Sequence, residues 1–290
     1  MKYLNSKEVA MIMGVHVSTV KRWTDAGKFP CYQTPGGHRK FTLSHLNQFL
    51  AVHKKKTNKV NLIELNGISD KMLIHNIENC AFDELKTVFF ESAIAANEHR
   101  LNTILTGLYL KGAPLYMIYD ELVLPIMHQI GSLWEHGSIT ISEEHLASEA
   151  VRRAIYELGE SFDMVLSISS PVAFCFSVLG DEHELPLIMV KQVLELNKIK
   201  TFNLGRNLPV GSFIELTKKI KPSIIIISAN YVENTNLVNK ELRKLIYTAK
   251  EIKTSILAGG NAIGKINKRN RSAIREIKNM HDLSNYTVIP

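Results

Sequence analysis

No long apolar run interrupts this chain of 290 residues, and none approaches the roughly 18 residues a membrane-spanning helix needs. The opening Met1-Lys-Tyr-Leu-Asn-Ser-Lys-Glu8 has no apolar core of the kind that marks an export signal. Cysteine is scarce: Cys31, Cys80 and Cys175 are odd in number and far apart, which argues against both a disulfide framework and a zinc site. A Gly-x-Gly-x-x-Gly fingerprint and a phosphate loop are missing too, and no catalytic constellation replaces them. The expectation is a cytoplasmic, non-enzymatic protein of two or three domains. A composition of 45% hydrophobic and 22% charged residues is ordinary for a globular chain.

Acidic residues are few at the start. Residues 1–60 hold eleven Lys or Arg and two acids, a net +9. The whole chain has 35 basic and 28 acidic residues, +7, so residues 61–290 carry 24 against 26, or −2. A basic head on a near-neutral body is the footprint of a nucleic-acid binder.

Within that head, Asn5 to Gly14 opens on capping residues, carries apolar positions at helical spacing and stops at a glycine. A second helix starts at Ser18 or just before. Val20 and Trp23, three apart, are expected to face the first helix, which leaves Ser18, Thr19, Lys21 and Arg22 outward. Two short helices across a glycine turn make a helix-turn-helix, whose second helix enters the major groove. Next, Gly36-Gly37 permits a tight hairpin, and His38, Arg39 and Lys40 follow at once as a basic wing. Thr42 to Leu50 reads as a closing helix. The string Thr34-Pro-Gly-Gly-His-Arg-Lys-Phe41 closely resembles the wing of the MerR family of winged helix-turn-helix regulators, a likeness that covers residues 2–50. The resemblance implies binding to double-stranded promoter DNA through Ser18, Thr19, Lys21, Arg22, His38, Arg39 and Lys40. It occurs in phage excisionases as well.

His53 to Lys59 is a basic run without apolar content, and residues 56–68 read as a linker. From 69 to 162 helical spacing dominates, broken at Gly112-Ala-Pro114 and Gly137-Ser138, and about four helices fit as a bundle. Residues 163–290 alternate between strand and helix signals. Strands are expected at Val172–Leu179, Lys200–Leu204, Ser223–Ser228, Thr254–Ala258 and, weakly, Tyr286–Ile289. Helices are expected near 184–197, 210–220, 236–250 and 270–279. That alternation predicts a doubly wound parallel sheet, so the chain is all-α followed by α/β. Loops at the strand ends carry Asp181-Glu-His183, Ser228-Ala-Asn230 and Gly259-Gly260, the place where open sheets hold ligands. The two glycines are expected to admit a ligand close to the backbone.

Two further resemblances attach to these segments. Trp134, followed after nine residues by Glu144-His145, resembles the helical cap of the cobalamin-binding photoreceptor regulators of the CarH and LitR group. The three loops resemble the flavodoxin-like cobalamin domain of methionine synthase, the mutases and those same regulators. The resemblance implies that His183 is the lower cobalt ligand and that Asp181 or Glu182 orients its other ring nitrogen. It implies that Ser228, Gly259 and Gly260 house the displaced nucleotide tail. Trp134, Glu144 and His145 then line the upper face of the corrin, against the adenosyl group of adenosylcobalamin.

Two positions depart from the pattern. Pro186 stands where the Asp-x-His-x-x-Gly motif ends in glycine, and Glu135 follows Trp134 where photoreceptor members have His, so that His136 becomes the candidate upper ligand. Taken together, the resemblance implies a cobalamin-sensing transcriptional repressor whose homo-oligomeric state, dimer or tetramer, responds to ligand and light. The parts are a DNA-binding domain at 1–55, a cap at 69–162 and a cobalamin domain at 163–290. A regulator that has lost cobalamin and a corrinoid-carrying enzyme module are the alternatives.

Overall fold

The computed structural model describes residues 3–53, 70–162 and 166–287. The expected linker at 56–68 and most of the basic run at 53–59 lie outside the described residues. The chain divides into two compact units, 1–163 and 164–290.

The first unit opens with the short strand β1 (Leu4–Asn5) and helix α1 (Ser6–Ile12). Asn5 caps α1, and Glu8 answers it with a bond to the Asn5 amide, a reciprocal box that satisfies orphan helix donors. Helix α2 (Val17–Asp25) follows, capped by His16. Strands β2 (Tyr32–Gln33) and β3 (Arg39–Phe41) form the expected hairpin, with β1 added on the far side of β3. Its turn closes through Thr34 N–H to the His38 carbonyl at 2.9 Å, and Gly37 supplies the positive φ of 78°. Helix α3 (Leu43–Val52) completes the head. Val20 is fully buried as expected. Trp23 instead lies 4.8 Å from the ring of Phe49 on α3, and Phe29 stacks on that same ring at 4.3 Å. The aromatic cluster of the closing helix therefore holds Trp23.

The helical region has one rod more than expected. A short α4 (Lys71–Glu78) precedes α5 (Phe82–Ile94) and α6 (Glu98–Leu110). The next rod runs from α7 (Leu115–Ile118) through a π-helical turn (Tyr119–Val123) into α8 (Leu124–Glu135), and α9 (Ile141–Glu160) is the last. From Thr103 to Leu110 every residue of α6 is buried, so this helix is the centre of the bundle. Head and bundle meet within the unit. Leu43 N–H donates to the Ser161 carbonyl at 3.1 Å, and Asn47 Nδ2 donates to the Tyr109 carbonyl at 3.0 Å. Tyr109 lies 4.8 Å from the ring of Phe162; burial pushes its phenol up, while hydrogen bonds with Ser44 and Asn47 pull the other way.

The second unit is a five-stranded parallel sheet in the order β5-β4-β6-β7-β8. The strands are β4 (Val172–Ser177), β5 (Lys200–Gly205), β6 (Ile224–Ser228), β7 (Ser255–Gly259) and β8 (Arg275–Glu276). The helices are α10 (Leu185–Leu196), α11 (Ile214–Ile220), α12 (Thr235–Glu251), α13 (Lys268–Arg271) and α14 (Met280–Thr287). Every residue of Ile224–Ser228 is buried, as suits a strand covered on both faces. On one face Phe174, Phe176, Ile225 and Ile227 pack with Phe213, Val238, Leu242 and Leu245.

Two expectations fail at the end of the chain. The predicted helix at 270–279 is the short α13 and then β8, because Asn267 caps a helix that starts two residues early and Ile277 N–H bonds to the Ala258 carbonyl. Of the predicted strand at 286–289, Tyr286 and Thr287 belong to α14, and the other two residues lie outside the described ones. Asn279 caps the start of α14, with Asp282 N–H on Asn279 Oδ1 at 2.8 Å, and Leu283 is wholly buried.

Candidate functional site

The sheet order reverses direction between β4 and β6, which makes the gap between their carboxyl ends a topological switch point, the usual ligand crevice of such sheets. Asp181 stands in the loop after β4 and is wholly buried. Its Oδ2 accepts from the Asn230 amide, in the loop after β6, at 2.7 Å. Its Oδ1 accepts from the His183 backbone at 3.0 Å and lies 2.6 Å from His183 Nδ1. A carboxylate can only accept, so Nδ1 carries the proton, and in the neutral ring Nε2 becomes the nitrogen that can donate a lone pair. The His183 side chain is 59% exposed. A buried anchor thus turns an accessible imidazole outward at the crevice.

Other loop residues brace this pair. Ser177 Oγ donates to the Asp181 carbonyl at 2.6 Å and accepts from the Asn207 amide at 3.0 Å. Asn207 Oδ1 accepts from Gly180 N–H at 2.8 Å, and its Nδ2 donates to Glu182 at 2.7 Å. Glu182 therefore faces Asn207 and Arg206, and Asp181 is the residue that meets His183. Asn207 and the role of Asn230 were not foreseen. Asn230 stands in the polar stretch after the apolar strand β6, whereas Asn207, two residues past β5, has no such signal.

Ser228 is buried and accepts from Asn230 Nδ2 at 2.9 Å. It pairs in register with Gly259. The glycine pair answers to the protein's own packing. A Cβ on Gly259 would meet the Ile277 carbonyl at 2.9 Å, and one on Gly260, where φ is 119°, would meet the Ala229 carbonyl oxygen at 2.5 Å. Pro186 sits in the first turn of α10, where a missing N–H is harmless, so the helix starts at Leu185 without strain. A hollow of about 550 Å³ opens beside Gly180, lined by Glu233, Asn234, Thr235 and Leu237; His183 is not in its wall.

In the helical region, Trp134 near the end of α8 is 44% exposed. After the turn at Gly137, α9 places Glu144 Oε2 2.5 Å from His145 Nδ1, and Ser148 donates to Glu144 Oε1 at 2.6 Å. Ile141 and Leu146 are exposed on the same helix, so this end of the bundle is apolar as well as polar. His136 caps α8 and lies with Nδ1 2.7 Å from the Ser132 carbonyl.

In the head, Lys21 and Arg22 are exposed on α2, Thr19 is half-buried and Ser18 is held by His16 at 2.8 Å. His38 is exposed on the wing and Lys40 is half-buried. Arg39 turns inward, 17% exposed, and pairs with Asp25 at the end of α2. It ties wing to helix.

Residues 3–52 match the family model described as a helix-turn-helix domain, and residues 86–158 match a B12 binding domain. The chain is 22% identical over 232 residues to the HTH-type transcriptional repressor CarH of Myxococcus xanthus, covering 76% of each. It is 28% identical over 116 residues to trimethylamine corrinoid protein 1 of Methanosarcina mazei, covering 39% of this chain and about half, 53%, of that protein. The solved structure of the Methanosarcina barkeri monomethylamine corrinoid protein superposes with a TM-score of 0.57 at 15% identity, over 71% of this chain and 98% of that one, which establishes likeness of fold. A helix-turn-helix domain, a helical B12 binding domain and a parallel α/β domain thus follow one another, an order of parts in which the chain is similar to a cobalamin-binding transcriptional regulator of the CarH type.

Proposed function

We propose that this protein is a transcriptional repressor of the cytoplasm that binds promoter DNA through its head and senses cobalamin, in the adenosyl form, through its α/β and helical domains. The observation that carries the reading is the Asp181–His183 pair, anchored across the switch point by Asn230. Among the described residues no three His, Cys, Asp or Glu side chains gather as a metal cage. A single outward imidazole fits a metal that brings its other ligands in a macrocycle. Cobalamin, when bound, supplies such a cobalt ion.

His183 would hold the lower face of the cobalt through Nε2, with Asp181 fixing the tautomer and ring angle and Asn230 fixing Asp181. Ser228, Gly259 and Gly260 would border the nucleotide tail. Trp134, Glu144 and His145 would hold the adenosyl group, which when bound would supply sensitivity to light. His136, whose Nδ1 lies 2.7 Å from the Ser132 carbonyl, is the candidate further cobalt donor. In the head, Ser18, Thr19, Lys21 and Arg22 would read the major groove, with His38 and Lys40 on the backbone and Arg39 setting the wing.

The test is uptake of cobalamin followed by absorbance. His183→Ala should weaken uptake at least about tenfold, in the range seen on losing a ligand or its support, while the melting temperature stays put. Equal uptake by wild type and variant would end the lower-ligand assignment. The packing of Ile277 against Gly259 favours a second reading, in which the α/β domain no longer accepts cobalamin and serves assembly alone. Wild-type protein that takes up no cobalamin would establish that alternative.

A further inference from the structure

The positive charge of this chain is not confined to its head. Residues 164–290 hold 18 Lys or Arg against 10 Asp or Glu, a net +8, whereas residues 61–163 hold 6 against 16, a net −10. Within the α/β unit three lysines share an unusual backbone: Lys198 (φ 65°), Lys221 (φ 52°) and Lys253 (φ 58°). Each stands just past the end of a helix, α10, α11 and α12 in turn, and leads into β5, β6 and β7. This left-handed position is the usual place of glycine or asparagine, and a lysine there is sterically disfavoured.

The three turns lie along one edge of the sheet, at the amino ends of its strands and opposite the Asp181–His183 crevice. Lys200 pairs with Val172, Ala173 with Ile224, and Ile224 with Ser255. Hydrogen bonds join the turns sideways: Ser223 N–H to the Val172 carbonyl at 2.8 Å, Ser255 N–H to the Ser223 carbonyl at 3.1 Å, and Thr254 Oγ1 to the Pro222 carbonyl at 2.6 Å. Neighbouring strands lie about 4.8 Å apart, so the lysine-bearing turns are spaced by roughly 10 Å and 5 Å along the edge. All three side chains are exposed, as is Lys200. None of the three is ion-paired with another described residue. The helix dipole does not account for them, since Lys218, Lys219 and Lys250 already occupy the last turns of α11 and α12.

We propose that this lysine edge is a second, sequence-independent contact surface for the phosphate backbone of duplex DNA. The inference rests on the reading of the head as a DNA binder, because only then is a polyanion held beside the protein. Duplex DNA carries one negative charge per about 1.7 Å of axis, the complement of a row of ammonium groups. Lysine is a point charge on a mobile stem and suits phosphate without demanding base geometry. The exposed residues of these turns, Lys198, Lys200, Lys221, Ser223, Lys253 and Ser255, are all polar. Beside them Ile220 and Phe202 are each 41% exposed, so some apolar surface is present, but lysine predominates.

The test uses the full-length triple variant Lys198→Asn, Lys221→Asn, Lys253→Asn. Asparagine tolerates the left-handed geometry, so the fold is kept, as a thermal melt will show. Affinity for promoter duplex is measured from low to high salt. Removing one phosphate-neutralising lysine should flatten the slope of log affinity against log salt by about 0.9, so the variant should be shallower by about 2.7, with sequence preference retained. A wild-type slope in the variant overturns the proposal. Should the slope stay while self-association in sedimentation is lost, the edge binds a second copy through its acidic helices, and the proposal falls as well. Arg22→Ala separates the two readings. If it abolishes binding while the triple variant keeps the wild-type slope, the head is upheld and the edge is refuted. If wild type binds no duplex, both fall.

Discussion

Asp181 is a charged residue with no exposed surface, and such a group persists only where its oxygens are fully engaged. Three partners engage it: two N–H groups of the backbone and the His183 ring. Asp181→Asn keeps the size and leaves one oxygen able to accept from Asn230. Its amide nitrogen would then face His183 Nδ1 and force the proton to Nε2, the atom proposed to meet cobalt. The expected outcome is a 10- to 100-fold loss of cobalamin affinity in an absorbance titration, with far-UV circular dichroism unchanged. Unchanged affinity would show that the buried acid serves only to fasten two loops. The histidine was legible in the sequence because it follows an apolar strand. That Asn230 on the β6 loop holds Asp181 was not, since a hydrogen bond spanning 49 residues leaves no local trace.

Elements were legible where period and cap agreed. The run Ile224–Ile227 could only be a buried strand, and Thr42, Asn5 and Thr140 open helices that carry their own caps. The failures came where tertiary contact overrode propensity. The β-branched run Thr287-Val-Ile289 reads as strand, but the Asn279 cap and the burial of Met280 and Leu283 carry a helix as far as Thr287. The extra turn at Tyr119–Val123, where Leu124 N–H reaches back to the Tyr119 carbonyl, has no pattern that a 3.6-residue period would reveal. The left-handed lysines were equally silent, and they permit a measurement. Lys253→Gly relieves roughly 1–2 kcal/mol of strain and adds about 0.4–1 kcal/mol of unfolded-state entropy. Urea unfolding should therefore show a gain of about 0.5–1 kcal/mol. A loss instead would mean that the lysine side chain makes a stabilising contact.

At the scale of the whole molecule, net charge hid its own structure. The −2 assigned to residues 61–290 is the balance of an acidic helical region and a basic α/β unit, and a sum taken across a domain boundary erases both. The order of parts was readable because each carries a local signature. How those parts respond to ligand was not, since assembly depends on surfaces that no motif spells out. Size-exclusion chromatography with adenosylcobalamin, in the dark and after green light, is expected to show a change of assembly on illumination. The exposed Trp134, Ile141 and Leu146 are the apolar residues whose covering would change. An identical elution volume in both states would remove light from the mechanism and leave a ligand sensor.

The seam between head and bundle bears on how freely such proteins exchange parts. Leu43, Ser44 and Asn47 belong to the helix-turn-helix head, while Tyr109 lies in the stretch that matches a B12 domain and Ser161 and Phe162 just beyond it, and hydrogen bonds cross from one set to the other. A head cut off at residue 53 would strand the Ser161 carbonyl and bare the Tyr109–Phe162 pair. A foreign head grafted in its place would have to bring matching groups at three positions of one helix. Recombination at this joint is therefore a matter of fit between two surfaces, and exchanging the head disturbs buried contacts that a point change at an exposed position of α2 leaves alone.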